Sequence, residues 1–229
     1  TEGVFGMSGN QGKLKEIIEL KKQYNFRLFV DDAHGIGTMG KTGAGTGEAQ
    51  GVQDGIDVYF GTFAKSFASI GAFIAGDEDM VRYLRYNMRS QIFAKSLPMP
   101  LVVGARKRLK MIKTMSELKD QLWLIANALQ KGLVDSGFNI GTTNTQVTPV
   151  ILEGGLGEAT NLTLDLRENH GLFCSIVVYP VIPRGMIILR LIPTAMHTLD
   201  DVDYTIETFK KVYTKLLAGE YKSDEIAAV

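Results

Sequence analysis

The chain has 229 residues, with 25 basic and 25 acidic side chains and a formal charge of zero, so no net field favours nucleic acid as a partner. No apolar run reaches the roughly 18 residues of a membrane span, and no charged-then-apolar signal is read at the start. The single cysteine, Cys174, excludes an internal disulfide framework and suits a reducing, cytoplasmic compartment. In Leu172-Phe173-Cys174-Ser175-Ile176 it reads as a buried strand thiol rather than a nucleophile.

In chain order, Glu2-Gly3-Val4-Phe5 reads as a strand. The chain therefore starts at Thr1 inside an element and without an initiator methionine, as a fragment of a longer protein would. Gly12 to Tyr24 carries Leu14, Ile17, Ile18 and Leu20 among lysines and glutamates and predicts an amphipathic helix. Phe26 to Val30, Ile56 to Phe60 and Gly71 to Ala75 predict short strands. Asp77 stands as the N-cap of a helix reaching Met88, with Asp79 at its positive end. Pro98 and Pro100 precede a helical pattern from about Leu101 to Val134, too long for one ordinary helix, with a break expected near Thr114-Met115-Ser116. The pattern then becomes strand (Gln146 to Leu152), helix (Glu158 to Asn169), strands (Phe173 to Val178 and Met186 to Ile192) and helix (Leu199 to Leu217). From Gly219 the tail is polar and expected to fray. Alternating helices and strands predict an α/β fold with a partial, mostly parallel sheet and covering helices, followed by a smaller α+β domain.

Two charged residues stand where charge is costly. Asp31 ends the apolar run Phe26-Arg27-Leu28-Phe29-Val30, at the carboxyl end of a strand, where open α/β sheets place ligands. Lys65 lies in Gly61-Thr62-Phe63-Ala64-Lys65-Ser66-Phe67 with no acid beside it. A solvent-exposed loop lysine fits that setting; so does an amine whose lost hydration lowers its pKa and makes it a nucleophile. Such a lysine and a distant carboxylate are the pair by which pyridoxal phosphate is held and its ring kept protonated.

The words Asp31-Asp32-Ala33-His34 and Thr62-Phe63-Ala64-Lys65-Ser66, with Leu189-Arg190, Thr194, His197 and Thr198 later, resemble in order and separation three motifs of the α-oxoamine synthases. These are fold-type I pyridoxal phosphate enzymes that join an amino acid to an acyl-CoA with loss of carbon dioxide. The resemblance covers essentially the whole chain. It implies that Lys65 binds the cofactor covalently and moves the Cα proton, and that Asp31 pairs with the pyridine nitrogen. His34 would reach the phenolic oxygen and the substrate, Thr62 the phosphate, and Arg190 the amino-acid carboxylate. The small residues Ala68, Ser69, Gly71 and Ala72 would let backbone and cofactor approach closely.

The resemblance divides the chain into the C-terminal portion of a large cofactor-binding domain (1–98), a bridging helical segment (99–136) and a small α+β domain (137–229). It implies a homodimer and a preceding segment carrying the cofactor-stacking residue and a glycine-rich phosphate turn. The stretches Arg89 to Pro100 and Val177 to Pro183 are most similar to serine palmitoyltransferases of the Bacteroidetes type, which implies L-serine and palmitoyl-CoA as substrates and 3-ketodihydrosphingosine as product. Glycine C-acetyltransferase, using glycine, and 8-amino-7-oxononanoate synthase are the alternatives. Two departures stand out: Ala94-Lys95 replaces the hydroxyl or amide pair that contacts the neighbouring subunit's cofactor phosphate, so that contact is either ionic through Lys95 or absent. Val178 replaces a second arginine of a carboxylate clamp.

Gly35-Ile36-Gly37-Thr38-Met39-Gly40-Lys41-Thr42 also matches the nucleotide-binding phosphate loop G-x-x-x-x-G-K-[ST]. That loop needs a helix starting at its Gly-Lys-Thr, whereas Gly43, Gly45 and Gly47 follow here, each costing a helix interior about 1 kcal/mol against alanine. A nucleotide hydrolase is therefore disfavoured, and a mobile glycine loop is expected. A non-catalytic fragment is a further reading. His34, His170 and His197 lack metal-ligand spacing, so no metal is expected.

Overall fold

The apolar spacing of residues 14 to 30 explains the first layer of the computed structural model, which describes residues 1–222. Helix α1 (Leu14–Leu20) buries Leu14 and packs Ile17 and Ile18 against Leu28 and Val30. It is shorter than its pattern, because the chain turns from Lys21, whose ammonium bonds the Gly55 carbonyl at 2.8 Å and pairs with Asp57. Strand β1 (Phe29–Asp31), the short helix α2 (Thr46–Gln50), and strands β2 (Val58–Thr62) and β3 (Ala72–Gly76) follow. β1 and β2 pair in parallel, Asp31 opposite Phe60; β2 and β3 are antiparallel. Glu2 bridges in parallel to Asp31 on the other side of β1. The last pairing thus departs from the parallel pattern, which a short loop between β2 and β3 requires, since parallel neighbours need a long crossover.

Helices α3 (Glu78–Asn87), α4 (Arg89–Phe93) and α5 (Met99–Thr114) come next. Asp77 occupies the N-cap of α3, but its side chain makes no capping hydrogen bond, so the sequence signal gave the position and not the contact. The expected break falls at Met115, whose non-helical backbone (φ −115°, ψ 68°) ends α5 before α6 (Ser116–Asp135) begins.

The chain forms two compact units, one of Thr1–Phe5 with Asn10–Lys119, the other of Gly6–Gly9 with the chain from Asp120. In the second unit, α6 buries Leu122, Ile125, Ala126, Leu129 and Leu133, the inward stripe of an amphipathic helix. Strands β4 (Thr148–Glu153), β5 (Ser175–Val177) and β6 (Met186–Leu191) form an antiparallel sheet in the order β4-β6-β5. Helices α7 (Leu156–His170) and α8 (Leu199–Leu217) pack with α6 and this sheet around one apolar core that includes Leu162, Leu189 and Phe209. Cys174 is buried just ahead of β5, and burial pushes its thiol up to about 11. The Thr198 hydroxyl accepts the Asp201 amide at 3.2 Å while the Asp201 carboxylate accepts the Thr198 amide at 2.8 Å, a reciprocal cap that starts α8. The expectation of a tail frayed from Gly219 is corrected at Tyr221. That residue is buried, and its hydroxyl donates to Asp165 at 2.5 Å. The remainder of the tail, 223–229, lies outside the described residues.

Candidate active site

Successive side chains of a strand point to opposite faces, and at the end of β1 this separates two adjacent carboxylates. Asp32 follows Val30 inward and is fully buried. Asp31 lies on the other face beside its register partner Phe60, half-buried, with Oδ1 accepting the Ala33 amide at 3.0 Å. Beyond the strand the amides of Gly35 and Ile36 fold back onto the Asp32 carbonyl at 3.0 and 2.9 Å, and the resulting turn carries half-buried His34.

The parallel neighbour β2 ends at Thr62, on the face shared by Asp31 and Phe60. Its hydroxyl donates to the Gly71 carbonyl at 3.2 Å and accepts the Ala64 amide at 3.1 Å. The loop from Phe63 to Gly71 closes on itself through Phe63 N–H to Gly71, Ser69 N–H to Phe63 and Ala68 N–H to Lys65, at 2.7 to 2.8 Å. Ala68 adopts φ 44°, a left-handed conformation that costs a non-glycine residue about 1 kcal/mol. Phe67 is buried and meets Phe63 edge-on at 5.3 Å, while Lys65 stands exposed. Of the two settings open to this lysine, the chain shows the exposed one, with Phe67 rather than the amine taking the buried place in the loop. Ser66 ties this loop to the first, its hydroxyl donating to the Ile36 carbonyl at 2.7 Å. Asp31 and Thr62 end two neighbouring parallel strands, and His34 and Lys65 lie on the loops that follow them.

Lys95 is exposed between α4 and α5, two residues before Leu97, whose side chain packs over Gly71 at the end of the lysine loop. Arg190 lies on β6 in the second unit, with Nη1 donating to the Gly6 carbonyl at 2.9 Å, Nη2 to the Ser175 hydroxyl at 3.4 Å, and Nε buried without a partner. In the same motif the His197 ring accepts the Thr194 amide at 2.9 Å and Thr198 caps α8, so these two residues build the turn into the helix.

The phosphate-loop look-alike has none of the geometry its pattern demands. No helix starts at Gly40-Lys41-Thr42; α2 begins only at Thr46. The amides of Thr42 and Ala44 donate to the Glu48 carboxylate at 3.0 and 3.1 Å, and Lys119 bonds the Gly40 carbonyl at 2.5 Å. The donors a phosphate would need serve the chain's own carboxylate. Burial alone would raise Glu48, but the Ala44 and Thr42 bonds outweigh it and hold the group below its ordinary range.

Sequence reasoning missed Asp32, Thr46 and Tyr59. The Asp32 carboxylate accepts the Thr46 amide at 2.6 Å, the Thr46 hydroxyl at 2.8 Å and the Tyr59 hydroxyl at 3.1 Å. Burial raises its pKa against the pull of these bonds, and burial followed by the Asp32 charge raises that of Tyr59. The available signal was the Asp-Asp pair itself, since strand alternation must turn one of the two inward.

The paired parallel strands, with Asp31 and Thr62 at their carboxyl ends, define an α/β unit of the kind that places ligands at those ends. The chain belongs to the aminotransferase class I and II family, whose model matches residues 2–209. It is 62% identical over 97% of its length to a cysteate-C-fatty acyltransferase of Capnocytophaga ochracea, and 34% identical over 93% to a serine palmitoyltransferase of Sphingobacterium spiritivorum; it covers 53% of each. It also superposes with a TM-score of 0.86 on a serine palmitoyltransferase from S. paucimobilis solved with a bound PLP-myriocin aldimine. Their identity is 31%, over 92% of this chain and 53% of that one. The chain spans about half the length of the curated relatives it matches. Among the described residues no helix is long and apolar enough to cross a membrane.

Proposed function

We propose that the protein is a pyridoxal phosphate-dependent C-acyltransferase that condenses an amino acid with a fatty acyl-CoA and releases carbon dioxide. The observation that carries this reading is the placement of Asp31 and Thr62 at the carboxyl ends of the parallel strand pair, with His34 and Lys65 on the two hydrogen-bonded loops that follow. The donor set suits the cofactor: a carboxylate for the ring nitrogen, an amine for the aldehyde and a hydroxyl for the phosphate. Bound there, the cofactor supplies a protonated ring that takes up the electrons left at the substrate Cα.

Within this reading Asp31 holds the proton on the ring nitrogen. Lys65, exposed on its loop, takes the proton from the substrate Cα. Thr62 turns its hydroxyl from the Gly71 carbonyl to the phosphate, Lys95 serves as an ionic ligand of the neighbouring subunit's cofactor phosphate, and His34 donates to the substrate oxygen. Arg190 is assigned to the amino-acid carboxylate, and its buried, unpartnered Nε supports that role, because an anionic acceptor would relieve the lost hydrogen bond.

For the amino acid we favour L-cysteate, on the 62% identity to the cysteate enzyme. L-serine is the second reading, favoured by the superposition on serine palmitoyltransferase. The full-length protein, assayed with cysteate, serine and glycine against long- and short-chain acyl-CoA, should prefer cysteate with a long chain by at least about tenfold in kcat/KM. A preference for serine selects the second reading, and glycine with a short chain overturns both. Lys65→Ala should abolish turnover and the visible absorbance of bound cofactor; a variant keeping both refutes the lysine's role.

A further inference from the structure

Directly behind Asp31, the chain buries a second carboxylate in a cage of glycines. An added Cβ at Gly3 or Gly35 would stand 2.0 Å from Asp32 Oδ1, and one at Gly45 would stand 2.1 Å from Oδ2. Three separate backbone segments therefore close on one side chain: the N-terminal segment beside β1, the turn bearing His34 and the end of the glycine loop. The main chain of Asp32 is tied as well, its amide to the Phe60 carbonyl at 2.9 Å and its carbonyl to the amides of Gly35 and Ile36. Among the described residues its carboxylate has no cation; its bonds come from Thr46 and Tyr59. An uncompensated buried carboxylate is a poor device for stability. It does specify a backbone path, because Asp32 can accept those donors only while strand end, turn and glycine loop hold their places.

We propose that Asp32 is a positioning residue for the cofactor, fixing the strand end and turn from which Asp31 and His34 reach it. The inference rests on the pyridoxal phosphate reading above. It assigns the glycine loop a task as well, since the amide and hydroxyl of Thr46 supply two of the bonds that hold Asp32.

The test titrates pyridoxal phosphate into the full-length protein and records the visible absorption band of the bound cofactor, with Asp31→Asn as reference. Asp32→Ala should weaken cofactor binding about tenfold through the loss of buried hydrogen bonds. At saturating cofactor it should also shift the band in the same direction as Asp31→Asn. Asp32→Asn should restore most of both, because its carbonyl can accept the Thr46 amide while its amide donates to the Thr46 hydroxyl. Thr46→Val, which removes one donor, should shift the band in the same sense but less, and it decides the matter if Asp32→Ala does not fold. A merely structural role would lower the melting temperature and leave the saturated band unchanged. A wild-type band in every variant that folds overturns the inference while the proposed function stands. A wild-type protein that takes up no cofactor instead overturns the proposed function on which it rests.

Discussion

Each unit of the chain buries an aspartate, and the two are driven in opposite directions. In the second unit Asp165, on α7, accepts Tyr221 at 2.5 Å, Asn169 at 2.7 Å and the Lys215 ammonium at 2.8 Å. Burial pushes its carboxyl up, but Lys215, Tyr221 and Asn169 outweigh burial and leave it well below the usual range. In the first unit the hydroxyls and amide around Asp32 do not offset its burial, and the adjacent Asp31 adds to the rise. Apolar packing differs in the same way. Among the described residues the second unit has a large apolar core around Leu162, Leu189 and Phe209, whereas the first has smaller clusters, one around Leu14 and Val30 and another around Tyr59 and Phe67. The second unit is built for stability, with a paired charge bonded to Tyr221 of its large core. The first devotes buried volume to a polar anchor beneath the candidate site.

The largest effect that would break this comparison is in the cores. Leu189→Ala or Phe209→Ala in the second unit should cost about 3–5 kcal/mol in denaturant unfolding. Ile36→Ala, at the edge of a smaller cluster, should cost clearly less; equal losses would erase the contrast. Asp165→Ala comes next, at about 2–3 kcal/mol, because it leaves Tyr221 and Lys215 without their acceptor.

Acid should then separate the two aspartates. With its folded pKa depressed, Asp165 contributes stability above its ordinary value near 3.8, and this is lost as pH falls below that value. With its folded pKa raised, Asp32 contributes stability that is fully present below about 3.8 and lost as pH rises through the folded value. Unfolding measured across this range should therefore show Asp165→Asn flattening the acid-side loss and Asp32→Asn flattening a loss on the higher side. Identical pH profiles for the two variants would contradict the assigned directions. The smallest effect is Thr198→Ala, which removes the cap of α8 and should cost about 1 kcal/mol, read as a lowered melting temperature.

Much of the fold follows from local pattern. Helix α8 spans Leu199–Leu217 as its periodicity and the Thr198–Asp201 pair require, and the break at Met115 falls where the long helical pattern had to end. Patterns that depend on distant partners carried less. Helix α1 stops early because Lys21 bonds residues near β2. Tyr221 is held in the second unit by an aspartate far earlier in the chain. The phosphate-loop pattern fails because its amides serve Glu48, a pairing that no pattern of adjacent letters specifies.

By itself the amino-acid sequence determined the alternation of helices and strands, the motif words around Asp31, Lys65 and Arg190, and the likeness those words carry, because each depends on neighbouring residues and their spacing. Only the tertiary structure decided that Asp31 and Asp32 take opposite faces with Asp32 fully buried, that Ser66 clasps the two loops together, and that Lys65 is exposed. Strand pairing, burial and a carboxylate's choice of donors are set by residues far apart in the chain, and their energies exist only once those residues meet.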